Sequence, residues 1–324
     1  MNFSSTKWIA AFAAMLSVAT AAFAQTYPSK PIRLIALGPA GSVSDLRARW
    51  IAEKLNAALG QSIVVDNRPG AGGNIGAELA AKSPRDGYTL VLVHQGTLTL
   101  NPHIYPRLGY DPIADFGLIT RLVISPLMLA SHPSLPVKTV ADLIELARKK
   151  PGVLDYGSPG SGTPPHMAGE LFRRMAGIAV IHVPYKGGMP ALLDLMGGRI
   201  AYTFDALVLQ APHVKSGKLR GLAVTSTRRV KSVAEIPTVA ESGLPGYAYW
   251  GWMGLAAPSS TPPAIIERLN AEMVKILRTA EARDWFEEQG GEPVGDRPED
   301  FAAFVKAEHA KWGRIIREAK IKVD

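Results

Sequence analysis

Two rhythms of apolar and polar positions alternate along the chain. Short apolar runs at 31–37 (PIRLIAL), 62–65, 88–93, 127–131, 180–184, 200–204 and 219–224 predict strands buried on both faces. Between them, spacing near 3.6 predicts helices over 44–59, 140–149, 164–175, 188–196 and 205–216. Strand, helix, strand repeated in this way predicts an α/β fold with mainly parallel sheets. After residue 262 the character changes. Ile265, Ile266, Leu269, Met273, Ile276 and Leu277 share one helix face, and Phe301, Phe304, Val305, Trp312, Ile315 and Ile316 share another, so two amphipathic helices pack on a core. Thr163-Pro164 and Thr261-Pro262 place a hydroxyl at an N-cap and proline at the first helical position, while Gly60 and Gly152 suit helix stops.

The first residues read as an address. Residues 1–24 carry one charge, Lys7, then an apolar Ala-rich stretch ending Ala22-Phe23-Ala24 before polar Gln25. This is the pattern of a cleaved secretory signal peptide and predicts an exported, periplasmic mature chain. No later run is long enough to span a bilayer.

Composition narrows the chemistry. At 324 residues with 47% apolar and 20% charged, the chain can bury one large or two medium cores, which excludes disorder, collagen and coiled coil. Cysteine is absent, which removes disulfides, thiolate-bound metal and a cysteine nucleophile. The net charge is +8, yet basic residues are scattered and aromatics make up only 7%, which favours a small anionic partner over nucleic acid.

The familiar enzyme motifs fail one by one. No G-x-S-x-G elbow surrounds any serine. Gly70-Ala71-Gly72-Gly73-Asn74-Ile75-Gly76 places Ile75 where a dinucleotide fingerprint needs its third glycine. No Walker lysine follows a glycine-rich loop, and no two histidines stand at metal-ligand spacing on a helix face. The expectation is no catalytic residue, no metal and no cofactor. What remains are glycine- and hydroxyl-rich loops at strand ends, where open α/β sheets hold ligands.

Two such loops open helices, whose first N–H groups suit an anion. The first contains Gly41, Ser42, Val43, Ser44 and Asp45. The second runs from Gly157 and Ser158 through Gly160, Ser161 and Gly162 to Thr163. A third segment, Gln95-Gly96-Thr97, follows His94. Taken singly, each helix-opening loop also reads as an ordinary turn in which Ser44 or Thr163 caps its helix. Asp45 is either a cap, a water holder or an acceptor from a ligand hydroxyl or ammonium, and Asp205 at the end of the 200–204 strand admits the same readings.

A family resemblance enters through longer stretches: Tyr27-Pro28-Ser29-Lys30-Pro31-Ile32, Asp66-Asn67-Arg68-Pro69-Gly70-Ala71-Gly72-Gly73-Asn74, and Pro84-Arg85-Asp86-Gly87-Tyr88. His182-Val183-Pro184-Tyr185-Lys186-Gly187, Gly217-Lys218-Leu219-Arg220 and Ile236-Pro237-Thr238-Val239 follow in matching order. Over the whole mature chain this resembles the Bug-type receptors, the periplasmic solute-binding components of tripartite tricarboxylate transporters. The resemblance implies a two-lobe, Venus-flytrap fold of the type II periplasmic-binding class. Lobe 1 comprises 25–125 and 246–324, lobe 2 comprises 126–245, and the C-terminal helices return to lobe 1.

The resemblance further implies a monomer that binds a small carboxylate ligand through backbone amides and waters and delivers it to integral membrane transporter subunits. Ser44, Asp45, Gln95, Gly96, Thr97, Ser158, Gly160, Ser161, Gly162, Thr163, His166, Tyr185 and Asp205 match the family's cleft positions. The first loop departs from the family pattern, with Leu37 and Val43 adding apolar bulk, which predicts an apolar or aromatic body on the ligand. Two other readings stay open: the same receptor signalling to a sensor kinase, and an exported hydrolase or isomerase using Asp45 or Asp205 with His166.

Overall fold

A computed structural model describes residues 27–319, so the leader read at 1–24 lies outside the described residues. Strands β1 (Ile32–Ala36), β2 (Ile63–Asn67), β3 (Thr89–His94) and β4 (Phe116–Ser125) lie in a first sheet. Strands β5 (Leu127–Ser131), β6 (Asp155–Ser158), β7 (Ile181–Pro184), β8 (Tyr202–Ala206) and β9 (Arg220–Val224) form a second. Then β10 (Gly251–Pro258) and β11 (Glu292–Pro293) return to the first. The orders are β11-β4-β10-β3-β1-β2 and β7-β6-β8-β5-β9. All seven apolar runs became strands, but burial on both faces is corrected for two of them: β2 exposes Val64 and β7, at the edge of its sheet, exposes Ile181.

The expectation of mainly parallel sheets is corrected, because both sheets are mixed. β1 pairs parallel with β2 and β3, and β6 with β7 and β8. β10 runs antiparallel to β3 and β4, β11 to β4, and β5 to β8 and β9. The parallel pairs are the helix-connected units. The antiparallel strands border the two crossings between sheets: β4 passes into β5 through Pro126 alone, and β10 is the return leg. A strand that enters a sheet without a crossover helix has no constraint to run with its neighbours.

The connecting helices are α1 (Val43–Leu59), α2 (Asn74–Ala81), α3 (Asn101–Ile104), α4 (Val140–Lys149), α5 (Pro164–Ala176), α6 (Gly188–Met196) and α7 (Leu207–Lys215). α8 (Pro263–Leu277), α9 (Ala280–Glu288) and α10 (Pro298–Ala319) complete the chain. Gly60 closes α1 in the left-handed region, at φ 67°. Other caps differ from expectation. Ser42, not Ser44, caps α1, and the Thr163 and Thr261 hydroxyls donate back to the carbonyls of Gly160 and Pro258. Gly152 sits in the turn beyond α4, where its N–H reaches the Ala179 carbonyl. Among the described residues no helix is long and apolar enough to cross a membrane.

Leu269, Met273 and Leu277 of α8 pack with Ile32, Leu34 and Ile51, which places that helix on the first sheet. α10 does more. Its Phe301 and Val305 pack with Trp252 of the first sheet, while Trp312 and Ile316 join the core that holds Tyr156 and Tyr202 of the second sheet and Phe172 of α5. The crossings are knotted at Thr225, which is fully buried. Its N–H donates to the Leu127 carbonyl, its Oγ1 accepts the Leu127 N–H and donates to the Tyr249 carbonyl, and its own carbonyl accepts the Tyr249 N–H.

The pattern did not announce β10, whose eight residues are all buried and include Gly251 and Gly254. Gly254 is there because Phe301 is: a Cβ at that position would stand 2.3 Å from the phenyl Cζ and 3.1 Å from the Thr120 carbonyl oxygen. Gly254→Ala is therefore expected to lower stability by roughly 1–3 kcal/mol through overpacking. Thermal unfolding of the purified variant checks this, and an unchanged midpoint would contradict the packing described.

Candidate functional site

The carboxyl ends of β1, β3, β6 and β8 face one another across the crossings, and there a cavity of about 850 Å³ opens between the sheets. Strand ends of open α/β sheets are where ligands bind. Of the residues singled out from the sequence, Ser42, Val43, Ser44, Gly160, Ser161, Thr163, Tyr185 and Asp205 line it. Gly41, Asp45, Gln95, Gly96, Thr97, Ser158, Gly162 and His166 do not; apart from exposed Gly41, they hold the wall from behind.

In the first loop the amides turn inward. The Asp45 carboxylate accepts the Gly41 N–H at 2.9 Å and pairs with Arg49 at 3.0 Å, and the Asp45 N–H goes to Ser42 Oγ. Burial works against the charged form of Asp45, but Arg49 and Gly41 together hold its carboxyl below the usual value. Of the alternatives open for Asp45, the helix-start role is the one its contacts fill. A Cβ on Gly38 would lie 2.4 Å from Ser42 Oγ and would displace the hydroxyl that caps α1. Ser44 Oγ accepts the Leu37 N–H, which ties the helix start to the strand end.

The second loop is likewise closed on itself. Gly160 N–H donates to Ser158 Oγ, which also bonds His182 Nε2 at 2.7 Å, and Gly162 N–H donates to His166 Nδ1 at 3.1 Å. His166 stacks on His182 with ring centroids 4.0 Å apart, and burial pushes its imidazole down to about 4. Its Nδ1 is thus an acceptor already in use within the loop. In the third segment Thr97 Oγ1 donates to the His94 carbonyl, and Gln95 bridges Tyr249 and Glu308. The Tyr185 hydroxyl donates to Asp194 at 2.9 Å, which leaves its ring against the cavity.

Asp205 is different. It is the penultimate residue of β8, is 6% exposed, accepts only the N–H of Ala206 among the contacts described, and is pushed up to about 7 by burial. Gly188 stands over it, where a Cβ would be 3.0 Å from Oδ2. Leu37, Val43, Leu207, Trp252 and Met253 give the rest of the wall a largely apolar character. His94, also on the wall, is pushed down to about 4 by burial and is neutral at pH 7.

Sequence reasoning missed Arg47, Ser125, Trp252, Met253 and Gln289, all of which line the cavity, while His94, read as the start of the third segment, lines it as well. For Arg47 the signal was present. It stands four residues before Ile51 and eight before Leu55, on the face of α1 that buries both. A charged residue in an apolar stripe is a departure from pattern. For Trp252, Met253 and Gln289 no local signal exists, because β10 and the end of α9 reach the site only through the return crossing.

The comparisons agree with this architecture. Residues 47–321 match the family model described as the tripartite tricarboxylate transporter family receptor. The protein BugT of Bordetella pertussis is 34% identical over 316 residues, covering 97% of each chain. A structure from R. palustris, Rpa4515 with adipate, superposes with a TM-score of 0.88 at 38% identity, covering 92% of this chain and all of the other. MatC from Rhodopseudomonas palustris, with bound malate, gives a TM-score of 0.84 at 28% identity, covering 90% of this chain and all of that one. With the two-lobe fold, the cavity between its sheets and a family model that spans most of the chain all in agreement, this chain belongs to the tripartite tricarboxylate transporter family of receptors.

Proposed function

We propose that the mature chain is a periplasmic receptor that closes its lobes, 25–125 with 246–324 and 126–245, around one small carboxylate with an apolar or aromatic body. It acts as a monomer and hands the ligand to the integral membrane subunits of a tripartite transporter, with no covalent chemistry. The observation that carries this reading is the cavity itself. It lies between the two sheets, is walled by both, and is largely apolar with a few convergent polar groups, the form small-molecule sites take. Its contacts to both lobes tie affinity to closure, since only the closed form engages both walls. That relatives at 38% and 28% identity hold adipate and malate supports a carboxylate as cargo. The hydrolase reading lacks support, because His166 lies behind the wall with Nδ1 occupied by Gly162.

A thermal-shift screen of residues 25–324 against aliphatic and aromatic mono-, di- and tricarboxylates tests the proposal. At a hundredfold excess over Kd the stabilisation is about 2.7 kcal/mol. A shift with an acid carrying an apolar body is expected; silence across the panel, or a preference for citrate over every apolar acid, would count against it.

Asp205 makes a second test. Its carboxyl ionises near 3.8 when exposed and near 7 in the folded protein, so the native proton stabilises fully below 3.8 and this contribution is lost as pH rises through 7. Asp205→Asn keeps the acceptor for the Ala206 N–H and removes the buried charge. The ligand-free variant is expected to melt higher than the native protein at pH 8, by on the order of 4 kcal/mol in stability, and to match it at pH 4. Equal melting at both pH values would refute the assigned burial.

A further inference from the structure

Arg47 is the feature of the cavity that the fold does not explain. It is 5% exposed, projects from α1 into the cavity wall, and touches only weak or neutral partners: Nη1 lies 3.0 Å from Met253 Sδ and Nη2 lies 3.0 Å from Ser125 Oγ. Nε is buried with no partner. Among the described residues no carboxylate pairs with it, although Arg49 on the next exposed turn has Asp45. A thioether is a poor acceptor and a hydroxyl carries no charge, so the guanidinium is desolvated without compensation. Burial pushes it down to about 10, still fully charged at neutral pH.

Chains do not ordinarily bury an unpaired guanidinium beside open space, and methionine or leucine would fill this position in the apolar stripe of α1. The two contacts it does have fix its direction. Ser125 ends β4 and Met253 lies in β10, directly at the crossing, so the fork is held at the floor of the cavity where the two lobes join. Gln289, whose Oε1 is buried and unpartnered, lines the same cavity. The other charged lining groups are Asp205 on the opposite sheet and exposed Lys186.

We infer that Arg47 is the carboxylate anchor of this cavity: the ligand is an organic acid whose carboxylate sits against the Arg47 guanidinium, with its uncharged body along the apolar wall. This rests on the receptor reading and deepens it, since the backbone amides first assigned to that task are mostly engaged within their own loops. An anion at Arg47 also couples charge to closure. Without it, closing the lobes leaves a bare cation in a dry cavity; with it, the pair forms as water leaves.

The test uses hexanoate, benzoate, adipate and malate, with hexanamide and benzamide as uncharged counterparts, titrated calorimetrically into residues 25–324, the Arg47→Met variant and the Arg47→Lys variant. For acids that bind the native protein, Arg47→Met is expected to lose on the order of 100-fold in affinity. It should also lose the preference for acid over amide, whereas Arg47→Lys keeps that preference. Ligand-free Arg47→Met is expected to melt no lower than the native protein, as replacing an unpaired buried charge by an apolar chain predicts. Acids binding Arg47→Met as well as the native protein would overturn the anchor and leave the receptor standing. An equal loss of acid and amide, or a lower melting point, would mean a structural role and overturn it too. If no acid binds the native protein, the receptor reading fails and the anchor with it.

Discussion

The structure depends on Thr225. Two passages of chain run between the sheets, at 125–127 and 225–249, and independent crossings would leave the lobes free to slide. Thr225 joins them through four hydrogen bonds, two with Leu127 and two with Tyr249, all in a fully buried setting. Tyr249 extends the tie by donating to Gln95 Oε1 at 2.6 Å, and Gln95 in turn donates to Glu308 of α10. Buried polar networks of this kind rigidify only when each member is satisfied. The cavity exists because the crossings are held side by side with the strand ends facing across them.

That frame explains why the glycine- and hydroxyl-rich loops serve mainly as wall. A loop opening a helix offers amides to an anion only when its own side chains leave them free. Here Asp45 takes Gly41, Ser42 takes Asp45, Ser158 takes Gly160 and His166 takes Gly162. The result is two rims held by their own hydrogen bonds. Such bonds lower the ordering cost of binding.

Between the rims sit two groups that the protein leaves electrically uncompensated, Arg47 on one sheet's side and Asp205 on the other's. Burial shifts both towards their neutral states, and each charge costs stability where no opposite charge meets it. Strain of this kind concentrates at functional sites and is compensated elsewhere in the fold. The long α10, which packs Phe301 on one sheet and Trp312 on the other, is one source of that compensation.

Much of this was legible in the residues alone. Seven apolar runs located seven strands, since a short apolar run carries its signal locally even where one face stays open, as in β2 and β7, and half of the loop residues singled out line the cavity. The α/β class followed from the same rhythm, and long matching stretches pointed to the family. Tertiary structure decided the rest. β10 and β4 went unread because their roles, and the need for glycine at 254, arise from partners far along the chain. Sheet direction followed from the crossings, which no local pattern encodes. Whether Ser158, Gly162 and His166 face a ligand or one another depends on hydrogen bonds between a loop, a helix and a neighbouring strand. Arg47 was visible as a charge in an apolar stripe, but only the return of β10 beside β4 shows that what meets it is a thioether, a hydroxyl and an open cavity. Local sequence determines which segments are buried; the long-range fold determines which buried charges are left without a partner.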